Sequence, residues 1–212
     1  MEIIRYAELK AHPWRNGGGV TREVARHPRT PSVQTAQSTA QDTAWDWRVS
    51  IAEVSTAGAF STFAGMDRVL TVIDGELLLL SVDGAEHPLE KYRPFRFSGG
   101  ADSAGALPTG DIKDLNVITR NGSFKGYTSI IELSKKRAHP VFAGQFGILL
   151  QGSATVSPGT AGEAAADVVP ETEPVELNRY DAVVGSDTAT PEILGRGFLA
   201  VVSIDPAEPG TD

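Results

Sequence analysis

The chain has no cysteine, and this removes disulfides, thiolate metal centres and a cysteine nucleophile at once. Histidine is scarce: His12, His27, His87 and His139 are scattered, each directly before a proline, and no His-x-His pair occurs. With no soft or borderline ligand set in view, neither a metal nor any other cofactor is expected. Long apolar runs are missing; nothing approaches the ~18 residues that cross a bilayer, so a membrane is not an expected partner. Positive charge is in deficit, with 19 Lys and Arg against 27 Asp and Glu and a formal net charge of −8. That balance argues against nucleic acid as a partner, whose affinity comes from neutralised phosphates, but it permits a local basic pocket. The opening residues, Met1 to Tyr6, have neither the basic start nor the apolar core of a secretory signal, and the cytoplasm is the expected compartment.

What the chain does have is a succession of short strand-like runs. Residues 20–26 alternate Val20, Arg22 and Val24 against Thr21, Glu23 and Ala25. Residues 45–54 set Trp47, Val49 and Ile51 on one face and Arg48, Ser50 and Ala52 on the other. Alternation with period two predicts strands, and the Arg48 face is either solvated or the polar lining of a cavity. Residues 69–80 predict two apolar strands joined in a hairpin at Asp74-Gly75, with a further Asp-Gly turn at Asp83-Gly84. Residues 89–97 and 115–119 add two more strands, and no segment carries an amphipathic helix of convincing length. The expected class is all-β, closed as a sandwich or barrel. Residues 28–43, rich in Pro, Ser, Thr, Gln and Ala, read as a mobile surface loop.

The second half repeats this grammar. Residues 146–156 parallel 68–78 with Gly152 in the place of Gly75, and Leu89-Glu90-Lys91-Tyr92 is matched by Leu177-Asn178-Arg179-Tyr180. The Gly-to-Leu spacing is 14 residues in the first half and 25 in the second, and the Ala-, Gly-, Glu- and Pro-rich stretch 157–174 accounts for the difference. The pattern predicts an internal duplication with halves 1–122 and 123–212, joined by a crossing segment near 123–139. Gly75 should then superpose on Gly152, and Tyr92 on Tyr180.

One stretch stands apart: Trp14-Arg15-Asn16-Gly17-Gly18-Gly19-Val20-Thr21-Arg22-Glu23. Consecutive glycines allow backbone conformations and close approaches closed to other residues. The spacing fits neither a dinucleotide fingerprint nor a P-loop. The stretch is either a turn into a strand, with Trp14 as core, or a recognition loop.

Together with Trp47-Arg48-Val49-Ser50-Ile51-Ala52-Glu53-Val54, Phe60-Ser61-x-Phe63-x-Gly65-x-Asp67-Arg68 and Asp114-Leu115-Asn116-Val117-x-Thr119-Arg120, this stretch resembles the HutD/Ves family. The resemblance covers residues 1 to about 135 closely. It implies a cupin-type fold, a bicupin of two β-barrel or jelly-roll halves. It also implies a link to histidine utilisation and to acidic intermediates such as N-formimidoyl- or N-formyl-glutamate. Many cupins hold a metal through His-x-His, a carboxylate and a distant histidine; this sequence has no such set and looks like a metal-free member.

An acidic ligand in a barrel needs guanidiniums for its carboxylates, neutral polar groups for the rest of its head, and an aromatic wall against water. The candidate carboxylate partners are Arg22, Arg48, Arg68 and Arg120. Asn16, Thr21, Ser50 and Asn116 are the candidate neutral partners, with Gly18 in the loop, and Trp14, Trp47, Phe60 and Phe63 the candidate walls. Two structural alternatives stand beside this reading: ion pairs Asp67–Arg68 and Asp114–Arg120, and Trp47 as core. The expected function is binding of a small acidic metabolite, regulating histidine utilisation, with a homodimer as the candidate assembly. The alternative is a metal-independent isomerase or hydrolase acting on a small acid, with Glu23 or Asp114 as general base.

Overall fold

The computed structural model describes residues 1–29, 44–159 and 173–207. Most of the loop expected at 28–43 and of the stretch 157–174 lies outside the described residues. In chain order the strands are β1 (Glu2–Ile4), β2 (Ala11–Pro13), β3 (Gly19–Pro28), β4 (Trp45–Val54), β5 (Gly58–Ala59), β6 (Met66–Asp74), β7 (Leu77–Val82), β8 (Ala85–Glu90) and β9 (Phe95–Ser98). They continue with β10 (Ser103–Ala106), β11 (Ile112–Arg120), β12 (Phe124–Leu133), β13 (His139–Pro140), β14 (Gln145–Pro158), β15 (Val175–Leu177), β16 (Ala182–Val184) and β17 (Pro191–Pro206). One single-turn 3₁₀ helix, Tyr6–Glu8, is the sole helical element among the described residues. The protein is all-β, as the alternation predicts.

Two compact units divide the chain: Met1–Leu9 with Thr128–Ser203, and Lys10–Tyr127 with Ile204–Asp212. The larger, second unit contains two antiparallel sheets, ordered β2-β3-β4-β11-β6-β9 and β5-β10-β7-β8. Ala52, Leu70, Val72, Phe97 and Ile112 of the first sheet and Leu78, Leu80 and Leu89 of the second share one apolar core. The Asp83-Gly84 hairpin forms as expected: β7 and β8 pair up to Val82 and Ala85, and the two turn residues have φ of 48° and 82°, the positive pair that a type I′ turn demands.

The hairpin expected at Asp74-Gly75 does not form, because β6 and β7 belong to different sheets. Gly75, with φ of 79°, carries the chain from one sheet to the other, where a Cβ would lie 2.7 Å from the carbonyl oxygen of Asp111. Residues 89–97 are likewise split between β8 and β9 in different sheets, interrupted at Tyr92 with φ of 66°. The segment read as a crossing between halves is largely strand, β12.

The smaller unit is built on one sheet, ordered β1-β16-β14-β17-β12, with β13 on β17 and β15 on β14. Its two long strands pair at Gly152 and Gly197, whose φ values are 98° and 115°. Its core is aliphatic, including Leu133, Leu149, Val156, Leu177, Ile193 and Leu199. Asp181, 1% exposed, accepts hydrogen bonds from Arg5 Nη1 at 2.6 Å and from the backbone N–H of Tyr6 and Asn178 at 3.0 and 2.9 Å.

The two units repeat an internal order, β4-β11-β6-β9 in one and β12-β17-β14-β16 in the other. The Tyr92 N–H donates to the Val72 carbonyl at 2.8 Å, and the Tyr180 N–H to the Leu149 carbonyl at 2.6 Å. Both tyrosines have positive φ, 66° and 72°, and each acceptor lies three residues before Gly75 or Gly152.

Candidate functional site

Strand register decides which side chains meet. β11 lies between β4 and β6, so that Asp114, Asn116 and Ile118 stand opposite Ala52, Ser50 and Arg48 on one side and Val72, Leu70 and Arg68 on the other. Alternate residues of a strand share a face, and these positions therefore form one surface. Ala52, Leu70 and Val72 enter the apolar core. Arg48, Ser50, Arg68, Asp114 and Asn116 line a cavity of about 490 Å³.

The loop between β2 and β3 forms one side of that cavity. Gly17, with φ of 71°, closes a turn in which its N–H bonds to the Trp14 carbonyl at 3.0 Å. Asn16 Oδ1 accepts from the Gly18 N–H at 3.1 Å, and Trp14 Nε1 donates to Thr21 Oγ1 at 2.8 Å. A Cβ on Gly19 would fall 2.4 Å from the Glu53 carbonyl oxygen and 3.3 Å from the Trp14 ring, so glycine is required for the loop to seat its indole. Trp14 meets Phe60 edge to face at 6.0 Å, and Phe60, Ser61 and Phe63 supply a further side.

Both guanidiniums are held against aromatic rings. Arg48 lies 5.0 Å from the Trp45 ring and 5.4 Å from Phe63, and Arg68 lies 5.0, 5.5 and 5.7 Å from Phe97, Phe60 and Phe63. Such placement offsets part of the cost of burying a cation. Arg68 also donates to Asn116 Oδ1 at 3.4 Å and to the Ser61 carbonyl at 3.2 Å. Burial lowers its pKa to about 10, an effect that Asp114 opposes and Arg48 reinforces. Arg48 is lowered by burial too, against the attraction of Glu23. Its buried Nε has no hydrogen-bond partner among the described residues. Asp114 is fully buried, and desolvation raises its pKa to about 7 although Arg68 pulls the other way.

Of the residues singled out in the sequence, Trp14, Asn16, Thr21, Arg48, Ser50, Phe60, Phe63, Arg68 and Asn116 line this one cavity. Gly18, Arg22, Trp47 and Arg120 do not. Gly18 shapes the loop through its N–H bond to Asn16. Arg22 stands opposite Ile51, on the other face of the sheet, and pairs with Glu53, which also holds Lys113 at 2.8 Å. Trp47 lies against His27 at 5.8 Å and is not in the lining. Neither expected ion pair forms: Asp67 pairs with Arg96 at 3.6 Å, and Arg120 with Asp46 at 2.8 Å. Glu23 pairs with Arg26 at 3.4 Å and does not line the cavity. Asp114, a candidate general base in the sequence but not one of the candidate binding residues, lines the cavity too; the strand expected at 115–119 begins at Ile112, and the two-residue step from Asp114 to Asn116 puts both on one face.

The metal that many cupins hold does not fit this cavity. Its charged lining is three guanidiniums, of Arg15, Arg48 and Arg68, and one carboxyl, and among the described residues no group of three or more His, Cys, Asp or Glu side chains is placed to hold an ion. A second, more open groove of about 610 Å³ is lined by Glu53, Asp74, Asp111 and Lys113. Glu53 there is engaged by Lys113, and Asp74 by Lys91 at 3.7 Å.

The HutD family model matches residues 6–201. The chain belongs to the HutD family. This HutD chain is 36% identical over 119 residues to an uncharacterised 21.2 kDa protein from the hutC 3′ region of Pseudomonas putida, covering 56% of this chain and 57% of that protein. It is 33% identical over 151 residues to protein Ves of Escherichia fergusonii, covering 70% and 71% of the two. HutD from Pseudomonas fluorescens SBW25 has a solved structure that aligns with a TM-score of 0.70 at 25% identity, over 98% of this chain and 99% of that one. A cupin-2 conserved barrel protein from Leptotrichia buccalis aligns with a TM-score of 0.55 at 7% identity, over 96% and 95%, and shows the fold to be cupin-like.

Proposed function

We propose that this HutD chain is a metal-free, two-half cupin that binds a small acidic metabolite, N-formyl- or N-formimidoyl-glutamate-like, and regulates histidine utilisation in the cytoplasm. The observation that carries the reading is the pair Arg48 and Arg68. Both guanidiniums line one aromatic-walled cavity, and neither has a carboxylate within ion-pairing distance among the described residues. In an acidic protein this is a local site for an anion, and a carboxylate between them gains charge-assisted hydrogen bonds in a partly desolvated setting. The matching strand order of the units, with the paired bonds of Tyr92 and Tyr180, supports the two-half reading. The names of the relatives support the pathway. A homodimer belongs to the same proposal and is tested by light scattering on the eluting protein.

The test is a thermal-shift titration with N-formyl-L-glutamate. At about a hundred times the dissociation constant the ligand adds about 2.7 kcal/mol of stability. Arg48→Ala should abolish the shift while changing the unliganded stability by less than about 1 kcal/mol, because the arginine makes no ion pair. A large loss of unliganded stability would make Arg48 a structural residue and move the site elsewhere. The pKa of Asp114, near neutrality, favours a second reading, a metal-independent isomerase or hydrolase with Asp114 as general base. Product formed from the bound acid, and lost in Asp114→Asn, would select it.

A further inference from the structure

Asp114 is not needed to bind an anion, and beside the bound carboxylates of an acidic ligand it is a liability. It is 0% exposed, it lines the cavity, and both of its carboxylate oxygens lack a hydrogen-bond partner among the described residues. Arg68, whose charge acts on it, does not hydrogen-bond to it: the guanidinium donates to Asn116 and Ser61. The register places Ala52 and Val72 beside Asp114 on the flanking strands, neither of which has a donor to offer from its side chain. The charged groups that share the cavity are Arg48, Arg68 and Arg15, while Glu23 of the flanking strand is turned to Arg26. An ionised carboxyl is purely an acceptor, and leaving it buried without donors costs more than any neutral replacement would.

We infer that Asp114 is the receptor for a cationic nitrogen on the ligand, so that the cavity takes a carboxylate that also bears an ammonium or amidinium group in preference to a plain di-acid. The inference rests on the proposed carboxylate site and narrows it. Arg48 and Arg68 hold the carboxylate end, and the N–H donors of the cationic end meet the two free oxygens of Asp114. The nitrogen supplies the hydrogen bonds that the protein withholds and the positive charge that makes the ionised form of Asp114 the favoured one. A di-acid supplies neither, and Asp114 must then stay protonated.

The matched probes are L-glutamate and glutarate, which carry the same two carboxylates and differ in the ammonium group. Calorimetric titration of the full chain at pH 7, repeated in buffers of different ionisation enthalpy, reads both affinity and proton exchange. L-Glutamate should bind at least ~10-fold more tightly than glutarate, a difference of about 1.4 kcal/mol. It should release protons on binding, whereas glutarate takes them up. In Asp114→Asn the preference should collapse to within ~2-fold and the proton exchange should vanish. Equal or tighter binding of glutarate by the unmodified protein overturns the inference and leaves the carboxylate site standing. Release of protons with both probes, or a preference that survives in Asp114→Asn, overturns it as well. Binding of neither probe nor of N-formyl-L-glutamate overturns the carboxylate site itself, and this inference with it.

Discussion

Each unit of the molecule buries an aspartate of special interest, and the two are treated in opposite ways. In the smaller unit Asp181 receives an arginine and two backbone N–H groups, and the interior beyond it is aliphatic. In the larger unit Asp114 receives no hydrogen bond among the described residues, and it faces a cavity. Counted from the shared tyrosine bond to Val72 or Leu149, the partner of Val72 on β11 is Asp114 and the partner of Leu149 on β17 is Leu199. Two positions on, Asn116 answers to Val201. The same sheet order therefore supports a filled interior where the central strand is apolar and a polar hollow where it is not. The first is a structural solution; the second leaves polar groups short of partners, which natural folds tolerate mainly at working sites.

The comparison breaks most sharply if an aspartate is put where the filled unit has leucine. Leu199→Asp should cost about 4 to 5 kcal/mol or prevent folding, since it buries a charge with no donors, and chemical denaturation reads the loss. Asp181→Ala should follow at about 3 kcal/mol, because it removes the carboxylate partner of Arg5 and leaves two backbone N–H groups without their acceptor. Asp114→Asn should do the reverse. Between about pH 4 and pH 7 the folded protein holds a proton on Asp114 that the unfolded chain has released. Stability therefore falls as pH rises through that window and levels off above it. The variant should lose this slope and be more stable than the parent at pH 8 by roughly 2 to 4 kcal/mol, with little difference at pH 4. A parent whose stability rises from pH 4 to pH 7 by this residue would refute the assignment. Arg48→Ala sits at the small end, below about 1 kcal/mol without ligand.

Much of the cavity was legible because its motifs lie on strands that pair. Arg48, Ser50 and Asn116 are fixed by period two once β4 and β11 are neighbours. Arg22 was misplaced for a reason the same periodicity contains: Thr21 and Arg22 are consecutive in one strand, and both could not line one cavity. The guanidinium drew the assignment, whereas the facing residue, Ile51, decided it. Asp74-Gly75 misled because a positive-φ glycine serves a passage between sheets as well as a hairpin, and only the distant approach to Asp111 distinguishes them. Asp83-Gly84 was secure because its two strands pair with each other and with nothing between them. Asp114 is legible in the sequence as a candidate base but not as a strand residue of the lining, because aspartate is depleted in strands and the predicted run starts at Leu115.

The pairing of β1 with β16 has a consequence in time. Glu2, Ile3 and Ile4 leave the ribosome about 180 residues before their partners Val184, Val183 and Ala182. At the usual ~5–20 residues per second, the first strand waits about 10 to 40 seconds for its sheet. Throughout that wait Ile3 and Ile4 are an unpaired apolar edge on the nascent chain. The smaller unit therefore cannot complete its sheet until residue 184 has been made, and a chain released before residue 182 carries strand β1 with nowhere to dock.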